Sequence, residues 1–107
     1  MSTARIRDLN DAFRRSFISG KVMVTAGVAA MTEDMRAEVL DRVRSFEGFT
    51  VENDPHGEHD FGNIEIDGHE LFWKIDYYDA AMEFGSEDPA IPSETTRVLT
   101  IMLAREY

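Results

Sequence analysis

The dipeptide Asp67-Gly68 sits between two runs of alternating apolar and polar residues, 60–66 and 69–77, and it constrains the fold more than any other feature of the chain. A two-residue type I′ turn needs positive φ at both positions, which Asp and Gly tolerate best, so the segment predicts a β-hairpin. With these two residues as the loop, Ile64 faces Leu71, Glu65 faces Glu70 and Gly62 faces Trp73. A bulky ring covering a cross-strand glycine is a stabilising pairing, which supports the register as well as the turn. The buried face is then Ile64, Ile66, Leu71, Trp73, Ile75 and Tyr77.

Other elements follow from periodicity. Ile6, Leu9, Phe13 and Phe17 behind Ser2 and Thr3 predict an amphipathic helix ending near Ser19-Gly20, with Arg7, Asp11 and Arg15 as outward i,i+4 partners. Val22 to Thr25 reads as a short strand stopped by Gly27. Thr32, followed by Glu33 and Asp34, is an N-cap with acids in the first turn, where the helix dipole favours them. The stripe Met35, Val39, Leu40, Val43 and Phe46 carries that second helix to Gly48. Val98 to Leu103 is apolar at almost every position, as a covered central strand would be. The expected fold is α+β in the order α-β-α-β-β-β: two helices packed on one face of a mostly antiparallel sheet of about four strands. The 107 residues fit a single domain, 1–107.

Charge is distributed unevenly. Residues 1–46 carry six acids against eight Lys or Arg, a balance of +2, whereas residues 47–107 carry fifteen acids against Lys74, Arg97 and Arg105, a balance of −12. A surface of one sign attracts partners of the other and repels nucleic acid and anionic membrane. The expected partner is therefore a basic protein surface, with no direct nucleic-acid or membrane contact. The absence of cysteine excludes thiolate catalysis and Cys-ligated metal, and fits a cytoplasmic setting. The longest apolar run, Val22 to Met31, is far shorter than the ~20 residues that span a bilayer.

Candidate partner-binding residues are Glu65 and Glu70, like charges opposed on the outer face with no stabilising rationale, and Asp76. To these we add Asp79, Glu83, Glu87 and Asp88 from the connection 79–96, which contains no Lys or Arg before Arg97 and is stiffened by Pro89 and Pro92. Asp79 is placed to cap a short helical turn through Met82. The only segment resembling a metal site is Asp54 to Asp60, with His56, Glu58, His59 and Asp60 as candidate ligands. A local account needs no metal: Asp54, Pro55, His56 and Gly57 suit a type I turn, and His59 at the strand start would pair with Asp76. His69 reads as a core-facing structural imidazole beside the turn. The chain has no Gly-rich phosphate loop or nucleophile elbow, and no catalytic residue or cofactor is assigned.

The segments Asp54-Pro55-His56-Gly57-Glu58-His59-Asp60-Phe61-Gly62, Phe72-Trp73-Lys74-Ile75-Asp76-Tyr77-Tyr78-Asp79, Phe84-Gly85-Ser86-Glu87-Asp88-Pro89 and Thr96 to Ala104 resemble a bacterial family, domain of unknown function 3768, nearly end to end from Leu9 to Tyr107. The resemblance implies a small stand-alone protein, often carried on plasmids and other mobile elements, and supplies no catalytic residues. Three functions stay open. The first is a non-enzymatic acidic binding protein, in its sharpest form a nucleic-acid mimic inhibiting a host defence or nucleic-acid-handling complex. The second is a small metal-binding protein or hydrolase using His56, His59 and nearby carboxylates. The third is a homodimer or toxin–antitoxin-type partner assembled through sheet edges or Tyr77 and Tyr78.

Overall fold

A computed structural model describes residues 2–107. The Asp67-Gly68 turn forms with φ of 50° and 79°, both in the left-handed region a type I′ turn requires. It joins β2 (Phe61–Ile66) to β3 (His69–Tyr78) in the expected register, with Gly62 opposite Trp73 and Glu65 opposite Glu70. A Cβ at Gly62 would lie inside the Trp73 indole, so the glycine is required by the ring that covers it. β4 (Thr96–Leu103) pairs antiparallel with β3, and β1 (Lys21–Val24) pairs parallel with β4, giving the sheet order β1-β4-β3-β2. The apolar run in β4 is thus a central strand, as its composition predicts.

The helices are α1 (Thr3–Ser16), the single turn α2 (Ala26–Ala29) and α3 (Glu33–Arg44). Thr32 caps α3 as expected, its hydroxyl accepting from the Met35 amide at 3.2 Å. The core joins Phe13, Val28, Val39 and Val43 to Ile64, Leu71, Trp73, Ile75, Leu99 and Ile101. The far face of the sheet is covered in part by three rings, Phe61, Phe72 and Tyr107, whose centroids lie 5.2–6.0 Å apart. None of the described helices is long and apolar enough to cross a membrane.

Element boundaries depart from the periodicity in three places. α1 stops at Ser16, not near Gly20, because Phe17 takes a left-handed C-cap conformation at φ 58°. α3 stops at Arg44 with Ser45 as C-cap, four residues before Gly48 would act, and Phe46 enters the core from the following loop. The segment after β1 folds into α2, where Gly27 predicts only a break.

Candidate functional site

Two regions concentrate polar chemistry: a buried network at one end of the sheet and the acidic connection between β3 and β4. The network starts on α1. Asn10 and Arg14, at i,i+4 spacing, lie fully buried on the same side as Phe13. Arg14 donates from Nε to the Val43 carbonyl at 3.1 Å, from Nη2 to the Phe46 carbonyl at 3.0 Å, and from Nη1 to Asp11 Oδ1 at 3.0 Å. It therefore adds a donor to the Val43 carbonyl in the last turn of α3, which also accepts the Phe46 amide at 3.3 Å, and satisfies the Phe46 carbonyl just beyond the helix. Its guanidinium also lies over Phe49 and Trp73, 5.4 and 5.3 Å from their ring centroids.

Asp11 is not an outward partner of Arg7 and Arg15. It is shared between Arg14 and His59, whose Nδ1 lies 2.9 Å from Oδ1. His59 faces α1 because its own φ is 56°, a left-handed residue that kinks the chain just before β2. Its backbone amide donates to Asp54 Oδ1 at 3.1 Å, and its ring stacks on Phe49 at 3.7 Å with the planes 1° apart. The expected His59–Asp76 pair is thus absent, and Asp76 pairs with Lys74 at 3.0 Å. His69 lies on the inward side of the strand, opposite Ile66 and two residues before Leu71, but beside the turn it stays exposed at the margin of the core.

The network continues through Asn10. Its amide donates to the Glu58 carbonyl at 3.0 Å and to the Tyr77 hydroxyl at 2.7 Å, and its Oδ1 accepts from Arg97 Nε at 2.7 Å. Tyr77 in turn donates to Glu58 Oε1 at 2.8 Å. Burial raises the Tyr77 phenol far above its ordinary value, so it stays a neutral donor. Burial likewise lowers the Arg14 and Arg97 guanidinium values, though neither approaches neutrality on the physiological scale. Asp60 is pushed up by burial first and then by Glu58.

The four candidate ligands do not converge. Asp54 to Gly57 form the expected turn, closed by the Gly57 amide to the Asp54 carbonyl at 3.1 Å, which leaves His56 exposed at its tip. Glu58 is engaged by Tyr77, and His59 by Asp11 and Asp54. Among the described residues no group of three or more His, Asp or Glu side chains is arranged to hold a metal ion.

The acidic connection is ordered, and it is ordered through its backbone. Asp79 accepts the Glu83 amide at 3.0 Å through its side chain and the Met82 amide at 3.0 Å through its carbonyl, making a closed turn in place of the expected helical one. Gly85 bridges back to Tyr78. The Ser86 hydroxyl meets Thr95 at 2.7 Å, and Asp88 accepts the Ala90 amide at 3.0 Å. Arg5 and Arg97 both reach this segment, but each spends its contact on a main-chain carbonyl: Arg5 Nε on Ala90 at 2.9 Å and Arg97 Nη2 on Pro89 at 2.6 Å. The carboxylates of Glu83, Glu87 and Glu94 are left without ion-pair partners within 4.0 Å among the described residues. Asp79, Glu87 and Glu94 line a cleft of about 290 Å³ together with Gly85 and Phe84, whose ring is 71% exposed.

Glu65 and Glu70 stand opposed and exposed, as the register requires. Arg42 donates to the Glu65 carbonyl at 3.4 Å and Arg105 lines a hollow together with Glu70, but among the described residues neither carboxylate has an ion-pair partner within 4.0 Å. The buried network was not anticipated. Its signal was present in the stripe Ile6, Asn10, Phe13, Phe17, where a polar residue occupies a position that the apolar spacing turns inward. The exposed Phe84 among acids was likewise visible as composition but carried no periodicity to mark it.

The chain belongs to the family described as Protein of unknown function (DUF3768), whose model matches residues 24–106. That span includes the acidic connection and the β-sheet strands from Val24 onward, while α1, which supplies Asn10, Asp11 and Arg14, lies before it. No curated protein and no solved structure matches the chain.

Proposed function

We propose that the protein is a non-enzymatic binding protein whose acidic C-terminal half engages a basic protein surface. The observation that carries this reading is the connection between β3 and β4: its backbone is fixed by internal hydrogen bonds, its exposed glutamates have no cationic partners among the described residues, and Phe84 stands uncovered between Asp79, Glu87 and Glu94. A lysine or arginine side chain entering that cleft would find carboxylates at its charged end and an aromatic face for its stem or guanidinium. Because the segment is already ordered, little conformational entropy would be lost on binding. Glu65 and Glu70 extend negative charge along the same sheet and would act on association rate more than on affinity, while Asp76, paired with Lys74, adds little.

In its sharpest form the acidic half imitates nucleic acid toward a defence or nucleic-acid-handling complex. The test uses Glu87→Lys with Glu94→Lys, because these carboxylates hold no backbone group, whereas Asp79 and Asp88 do. The double reversal should slow association with a basic partner and leave the melting temperature unchanged or slightly raised. Glu33→Lys with Asp34→Lys alters net charge equally and should instead weaken α3 through the helix dipole. Equal loss of binding in both variants would reduce the reading to net charge alone.

A further inference from the structure

Arg97 is 4% exposed, and among the described residues no carboxylate lies within 4.0 Å of its guanidinium. Its hydrogen bonds are Nε to Asn10 Oδ1 and Nη2 to the Pro89 carbonyl, and Nη1 has no partner among the described residues. A buried charge is ordinarily paired, because taking it out of water is costly. In a chain of net charge −10 a counter-ion would be the easiest partner to supply, and here none is supplied. Glu58, the nearest carboxylate to influence Arg97, is held by the Tyr77 hydroxyl and stays beyond ion-pair distance.

Arg97 also lines a groove of about 310 Å³ between the C-terminal half of α1 and the 3-10 turn Pro92–Glu94, whose other walls include Leu9, Ala12, Phe13, Ile18 and Pro92. Ile18 is 69% exposed at its rim. The groove is shaped by the tight passage from α1 to β1: a Cβ at Gly20 would come within 2.7 Å of both the Arg97 carbonyl and the Phe13 ring. It shares no lining residue with the acidic cleft. The volume is at the lower end of small-molecule sites, ~300–1,000 Å³, and the composition is that of such sites, apolar walls with one orienting polar group.

We propose that this groove binds a small amphiphilic carboxylate, its apolar body along Leu9, Phe13 and Ile18 and its carboxylate on Arg97. Charge complementarity selects the ligand: among the described residues Arg97 is a buried cation with hydrogen bonds and the Tyr77 ring beside it but no carboxylate, and its planar guanidinium suits one. The site is independent of the acidic surface, and salt separates them. Binding of a basic partner weakens as salt rises, whereas a carboxylate entering a −10 protein gains as long-range repulsion is screened.

Octanoate titrated into the full chain and followed by amide chemical shifts is the probe. Saturable shifts at Leu9, Ala12, Ile18 and Thr95 are expected, with affinity unchanged or stronger at high salt and at least about tenfold weaker for octanol and for octylamine. Arg97→Met should cost about tenfold or more in octanoate affinity. Since Arg97 also holds Asn10 and Pro89, Ala12→Trp provides the second variant: it fills the groove from an exposed helix position, leaves Arg97 untouched, and should abolish binding without changing the circular dichroism spectrum. Octanol binding as tightly as octanoate, shifts centred on Phe84, or undiminished binding in Ala12→Trp would each overturn the proposal. A leucine-ended peptide binding more tightly as free acid than octanoate does would overturn the small-molecule assignment in favour of a peptide carboxylate.

Discussion

The residues that decide how this chain closes are polar ones in apolar positions. Asn10 and Arg14 sit where helical spacing calls for hydrophobes, and each ties separate segments together: Arg14 donates to the carbonyls of Val43 and Phe46, and Asn10 links the Glu58 carbonyl, Tyr77 and Arg97. Arg14→Met keeps the length of the stem but leaves those carbonyls and Asp11 short of donors, so it should lower unfolding free energy by about 2 kcal/mol or more in a denaturant titration. Asp60 behaves oppositely. Its carboxyl is raised by burial and by Glu58, so the folded state holds that proton more tightly than the unfolded chain does. The cost of ionising it is fully present above the folded-state value and disappears as the pH falls through that value toward the ordinary aspartate range. Asp60→Asn should therefore stabilise the protein at neutral pH, and the gain should vanish by about pH 4. A gain that persisted unchanged into acid would contradict this assignment.

At the scale of elements, the legible parts of the fold were those with a local physical signature. The Asp67-Gly68 turn set the hairpin and, through Gly62 against Trp73, its register. Thr32 announced the start of α3, and the nearly continuous apolar run announced a central strand. What the sequence did not reveal was the backbone reversal at His59, because a non-glycine residue with positive φ leaves no mark in composition. That one dihedral moved His59 from the expected contact with Asp76 to Asp11 and Asp54, and with it the whole loop onto α1. The parallel pairing of β1 with β4 was equally invisible, being a contact between distant segments with no turn to specify it. The hairpin register carries its own test. Gly62→Ala should cost about 1–3 kcal/mol by overpacking against the fully buried Trp73, and should shift its emission toward that of the unfolded chain. A variant as stable as the parent, with unchanged emission, would mean that the ring does not cover the glycine.

For the molecule as a whole, burial sharpens the charge asymmetry already present in the sequence. Arg97, one of only three cations in residues 47–107, is internal and contributes no cationic surface to the acidic half. Arg5 crosses from α1 to the acidic connection yet binds its backbone, so it orders the segment without pairing any of its carboxylates. The result is a rigid acidic element with an exposed aromatic at its centre, and the central claim is that this element recognises basic protein surface. The most direct measurement is a titration of a lysine- and arginine-rich peptide into the isotopically labelled protein at low and high salt, repeated with Phe84→Ala, with Glu87→Lys/Glu94→Lys and with Glu33→Lys/Asp34→Lys. The account predicts saturable shifts centred on Phe84 and Gly85, weakened as the Debye length falls from ~10 Å at 0.1 M to ~3 Å at 1 M, lost in the first two variants and kept in the third. Shifts scattered over all acidic surfaces, and reduced alike by both charge-reversal pairs, would contradict it.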